Sequence, residues 1–179
     1  MAGRQPEYEM SLSIHEVSVP VFVRMLGQLA RILDKAAAHA EAGKADPAAL
    51  LASRLAPDMY PLVEQVRIAV DAAVDGAARL AKVEPPAFAG AEDSFPGLQA
   101  RIQGALAFLR ALEPARFEGA ESRAVSWSFR GGDISVGGTQ YLLNHAMPKF
   151  YFHVTTAYAI LRHEGVPLRK GDYMGKAEA

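Results

Sequence analysis

A chain of 179 residues has room for one domain with a substantial core, and a second full domain is not expected. Hydrophobic residues make up 50% and charged residues 22%, an ordinary globular composition that argues against global disorder. The formal net charge is −1 (19 basic, 20 acidic residues), so no basic excess exists to neutralise phosphates, and nucleic acid is not an expected partner. Cysteine is absent, which excludes disulfides, thiolate metal ligands and a cysteine nucleophile and fits a cytoplasmic protein.

Residues 1–10 carry Arg4, Glu7 and Glu9 and no apolar run, so they read as a disordered extension and not as a signal peptide. Met10 is a second candidate start. The patterned domain spans 11–175, with a short tail at 176–179. Residues 14–42 read as the first long helix: Phe22, Leu26, Leu29 and Leu33 recur at helical spacing, and Pro20 sits near the start, where its missing N–H costs least. Asp46-Pro47 is a cap followed by proline and opens a short helix to about Leu55. The second long helix starts near Asp58 or Pro61 and runs to about Lys82. Its inner face is narrow and small: Leu62, Val66, Ala69, Ala73 and Ala77. Asp58 is most simply an N-cap.

Pro85-Pro86 breaks the pattern, and 84–93 is a loop. Ser94 caps a third helix whose apolar face is Leu98, Ile102, Ala105, Leu109 and Leu112. In 123–136 the period changes to two: Val125, Trp127 and Phe129 alternate with small residues, Arg130-Gly131-Gly132-Asp133 follows, and then Ile134 and Val136. This reads as a β-hairpin. The fourth long helix runs from about Thr139 to Glu164, with Pro148 expected to kink it and Gly165 and Pro167 to stop it. From Leu168 onward the chain is polar and expected on the surface. No segment has the roughly 18 apolar residues needed to span a bilayer. The expected fold is all-α, a four-helix bundle with a small β-hairpin before the last helix. The connection between the first two long helices is compatible with an up-down-down-up order, which spacing alone does not fix.

The densest polar and aromatic cluster lies in the fourth helix, where His145, Lys149 and His153 follow at i, i+4 and i+8. The two histidines are roughly 12 Å apart in helix rise and cannot share one metal, and a protonated lysine stands between them. His145 reads as a structural residue, as does the Phe150–Phe152 triplet. The second helix offers Asp58, Tyr60 and Gln65 on the opposite side. No G-x-S-x-G, H-E-x-x-H or phosphate-loop pattern occurs. The sequence names no reaction.

The stretch PKFYFHVTTAYAILRHEGV at 148–166 resembles a bacterial family of uncharacterised DinB/YfiT-like proteins. LAPDMYPL at 55–62, FEGAESR at 117–123 and GDYMG at 171–175 resemble further blocks of that family. The resemblance implies a DinB-type four-helix bundle, often dimeric. Many members of the wider superfamily hold a divalent metal on three histidines, one from the second helix and two from an H-x-x-x-H on the last, and some are thiol-dependent transferases or isomerases. Here His153 falls on the second position of that pair and Lys149 on the first, where the closer family is expected to have asparagine. Residues 55–82 contain no histidine. The expectation is therefore no cofactor and no tightly held metal, with His153 the one weak candidate ligand. The leading reading is a protein that binds a small polar ligand, anionic or carbonyl-bearing, between the second and fourth helices. Its candidate ligand-binding residues are Asp58, Tyr60, Gln65, Lys149 and His153. A metal-dependent transferase or hydrolase of DinB type, and a non-catalytic dimeric interaction module, stand as alternatives. A homodimer is the expected assembly.

Overall fold

The computed structural model describes residues 12–88, 93–129 and 131–175. The expected extension at 1–10, the tail at 176–179 and Arg130 of the hairpin turn lie outside the described residues. Four long helices form the body: α1 (Val19–Glu41), α3 (Leu62–Ala81), α4 (Phe95–Ala111) and α6 (Met147–His163). A short α2 (Pro47–Ala52) links the first two, and a 3-10 turn at Pro114–Phe117 follows α4. Strands β1 (Ala124–Phe129) and β2 (Gly132–Gly137) make the hairpin. A short α5 (Gly138–Tyr141), a π turn (Leu142–Ala146) and α6 then form one continuous helical run, and α7 (Lys170–Met174) closes the chain. Among the described residues no helix is long and apolar enough to cross a membrane.

Contacts along the helices fix their directions. His15, before α1, stacks on Phe117 beyond α4, while Gln99 near the start of α4 donates to Ala30 O on α1, so these two helices are antiparallel. Arg101 of α4 pairs with Asp71 of α3, and Arg123 binds both Leu80 O and Arg116 O, so α3 and α4 run parallel. Gln65 meets His153, and Gly76 abuts Ala146, so α3 and the last helix are antiparallel. The order is up-down-down-up. Two parallel consecutive helices require the chain to travel back along the bundle between α3 and α4, and Pro85-Pro86 lies in that connection, outside any helix or strand.

The apolar stripes read from the sequence form the core. Phe22, Leu26, Leu29 and Leu33 of α1 and the small face of α3 are fully buried. Small residues let helices approach: a Cβ on Gly76 would lie 3.2 Å from the Ala146 side chain and 3.6 Å from Phe22. The hairpin pairs Val125 with Val136 and Trp127 with Ile134, turning Val125 and Trp127 inward and Ser126 and Ser128 outward.

Two local expectations are corrected and two are refined. Helix α1 begins at Val19, not residue 14. Pro20 cannot donate to the Glu16 carbonyl, so the preceding residues form a separate capped turn in which Ser13 N donates to Glu16 Oε2. Asp58 is not an N-cap. Pro61 holds that position, and Asp58 is exposed on the turn before it. The break expected at Pro148 takes the form of a π turn just before it. Met147 N–H reaches back five residues to Leu142 O, and Pro148 has no N–H for an α-register bond. The C-terminal segment lies on the surface as expected, none of α7 being buried, but it is tied down at several points. Val166 and Leu168 are buried, Lys35 pairs with Asp172, Tyr173 hydrogen-bonds Thr155, and Arg24 donates to Met174 O.

Candidate functional site

The face between α3 and the last helix holds two polar groupings. One is the pair Gln65 and His153, both buried. The Gln65 amide Nε2 donates to Tyr60 O at 3.0 Å, which turns Oε1 toward the imidazole, 2.6 Å from Nδ1. With an amide oxygen as partner, Nδ1 carries the proton and donates. Burial, and secondarily the Lys149 ammonium, push the His153 pKa down to about 4, so the ring is neutral at pH 7.

The second grouping is a recess of about 200 Å³ roofed by the hairpin. Asp75 and Arg79 enter it from α3, one turn apart on one face. His145 and Lys149 enter from the π turn and the start of α6, again four residues apart, and Trp127 and Tyr141 close it. The rings form a cluster: Trp127 lies 4.5 Å from His145 and 5.3 Å from Tyr141, and Tyr141 stacks on His145 at 5.5 Å. The π turn places His145 here, since an extra residue per turn rotates the following side chains relative to an α register. Arg79 is braced by donation to Ser126 O at 2.7 Å.

Burial lowers the His145 pKa, and the charges of Lys149 and Arg79 lower it further. Burial also raises the Tyr141 phenol to about 12, with Arg79 opposing and Asp75 reinforcing the shift. Both groups are neutral at pH 7. The fixed charges are thus Asp75 against Arg79 and Lys149. The indole N–H of Trp127 is buried with no acceptor among the described residues.

The five candidates from the sequence fall in three places. Gln65 and His153 bond to each other. Lys149 lines the recess. Tyr60 exposes its side chain and contributes only its backbone carbonyl, and Asp58 is exposed. Asp75, Arg79, Trp127, Tyr141 and His145 were not among them. Asp75 and Arg79 show in the sequence only as a charged i, i+4 pair beside a face of alanines, a pattern that a solvated helix face shares. The hairpin's arrival over that pair has no local signature.

The donor set does not fit the three-histidine metal site implied by the resemblance. His153 retains only Nε2 as a ligand atom, and α3 carries no imidazole to join it. Among the described residues no three His, Asp or Glu side chains gather where they could hold a metal ion. In the recess, Arg79 and Lys149 oppose a cation.

Over residues 14–174 the chain matches a domain of unknown function, DUF1993. The crystal structure of a DinB family member protein from Shewanella denitrificans superposes with a TM-score of 0.85 at 38% identity, covering 93% of this chain and 94% of that one. No curated protein matches. A family match over nearly the whole described domain, joined to a bundle that agrees with that structure from end to end, identifies the chain as a member of the DUF1993 family of DinB-like proteins.

Proposed function

We propose that the protein binds a small anionic or carbonyl-bearing molecule in the recess between its second and fourth long helices. One observation carries this reading. Arg79, Lys149 and the ring of Trp127 line about 200 Å³ of space between the two helices and the hairpin. Neutral His145 and Tyr141 add further hydrogen-bonding groups without adding charge. A π turn at the site favours the same reading, since such turns recur where function has displaced regular helix. The cytoplasm is part of this proposal, consistent with the absence of cysteine.

Trp127 is the single tryptophan of the chain and sits in the recess wall, so its fluorescence reports on occupancy. Propionate should produce a saturable change in that emission. Lys149→Gln should weaken the apparent affinity about tenfold, the equivalent of one charge-assisted hydrogen bond of about 1.4 kcal/mol. An emission spectrum indifferent to carboxylates at every concentration would sink the reading.

A second observation favours a homodimer. The outer face of α6 exposes Tyr151 and Phe152 beside Leu55, around an apolar groove of about 420 Å³. We propose that a second copy of the chain covers this face. It lies on the side of α6 away from its buried residues, so dimerisation and ligand binding are compatible.

A further inference from the structure

The charges in the recess are arranged in an order that a simple anion does not satisfy. Asp75 and Arg79 stand one helical turn apart, a spacing at which carboxylate and guanidinium commonly pair with each other. Here they do not pair. Arg79 is drawn to Ser126 O, and Asp75 forms no hydrogen bond or ion pair among the described residues. Lys149 likewise has no carboxylate partner among them. An unpaired carboxylate and an unpaired ammonium therefore line the same small space.

Antiparallel packing sets their order. Gly76 abuts Ala146, so Asp75 lies across from the π turn. Lys149 sits about one turn away toward the start of α3, near Ala72, and Arg79 one turn away toward its end. The recess is thus lined in the order cation, anion, cation along α3, with Asp75 and Arg79 rooted about one helical turn apart. A monocarboxylate bound to either cation would leave Asp75 beside it, uncompensated and repelling. A simple amine on Asp75 would face two cations. A molecule carrying an ammonium and a carboxylate on one carbon answers both.

We propose that the recess binds a small free α-amino acid, its ammonium on Asp75 and its carboxylate on Lys149 or Arg79. This rests on the ligand-binding reading above and names its ligand class. Size limits the side chain. A cavity of about 150 Å³ holds one benzene, so about 200 Å³ suits an amino acid of a few heavy atoms beyond glycine and excludes the large aromatic ones.

The test uses the intact chain and three matched probes, followed by Trp127 fluorescence and checked by calorimetry. L-alanine carries both charges, propionate lacks the ammonium, and ethylammonium lacks the carboxylate. L-alanine should bind at least tenfold more tightly than either of the others. Asp75→Asn should reduce L-alanine to the affinity of propionate, and Lys149→Gln should weaken L-alanine and propionate alike. If propionate binds as well as L-alanine and Asp75→Asn changes neither, the amino-acid proposal is overturned while the anion reading stands. If none of the three probes binds, both are overturned. The comparison of probes on the unaltered protein decides the matter even where a variant fails to fold.

Discussion

His153 enters the bundle as a neutral ring, and its environment gives stability a definite pH dependence. In the unfolded chain an ordinary histidine titrates near 6.5, whereas the folded value lies at about 4. The folded pKa is the lower one, so the unfolded state binds the extra proton first. The contribution is full above about pH 6.5 and is lost as pH falls toward 4. The whole shift corresponds to about 3 kcal/mol, which solvent at the rim of the helix pair trims to about 1–2 kcal/mol. Urea unfolding at pH 7 and pH 4.5 should show a loss of this size. In His153→Asn, which has no titratable ring, the difference between the two pH values should shrink by about that amount. An unchanged difference would show that another group carries the dependence. Gln65 and His153 were legible in the sequence because each is a polar side chain at an inward position of an apolar stripe. Asp75 and Arg79 were not, because a charged pair on a helix looks the same whether it faces water or a recess. Only the position of the hairpin separates those two cases.

Elements were legible wherever their own period decided them. The stripe of α1, the small face of α3, the Ser94 cap of α4 and the alternation of the hairpin all follow from neighbouring residues, and Ser94 Oγ accepts from Gly97 N as a cap should. The π turn was legible only as a disturbance at Pro148, since proline removes a donor without stating which register replaces it. The surface position of the C-terminal segment was legible from its polarity, but its docking points were not, because Asp172 and Tyr173 look like any solvated residues and the anchors Val166 and Leu168 are too few to make a pattern. One junction is testable by a single methyl group. Gly138 opens α5 directly after β2 and is buried against the backbone of Ala120. A Cβ there would run into the Ala120 carbonyl, which is main chain and cannot swing aside as a flexible side chain would. Gly138→Ala should cost about 3 kcal/mol or more, comparable to severe overpacking. Gly76→Ala meets only the Ala146 methyl group and the edge of Phe22. There the gain in helix propensity of about 1 kcal/mol offsets part of the crowding, and the net change should stay within about 1–2 kcal/mol. Equal thermal midpoints for the two variants would contradict this account of the hairpin-to-helix junction.

At the scale of the whole molecule, α6 is apolar on two sides. Phe150, Val154, Ala157 and Leu161 point into the core. Pro148, Tyr151, Phe152, Thr155 and Ala159 follow at helical spacing on the other side and line the exposed groove. Phe152 leaves 56% of its surface accessible, and Leu55 beside it 44%. A contiguous apolar strip of this kind on a chain with a net charge of −1 has little electrostatic protection against self-association. The strip lies along one straight helix, so a twofold axis through it would set the face against itself in an isologous contact. A stable pairing needs about 1,000 Å² or more of total buried surface, which α6 with the segment around Leu55 and Tyr60 is long enough to supply. Sedimentation at micromolar concentration should therefore give a dimer. Phe152→Glu sets a carboxylate at the centre of the strip, opposite its own symmetry mate, and should yield a monomer. The circular dichroism spectrum should be unchanged, because the Phe152 side chain is exposed and meets the buried face only at its ring contact with His153. A wild-type chain that sediments as a monomer, or a Phe152→Glu variant that remains dimeric, would move the interface elsewhere or remove it.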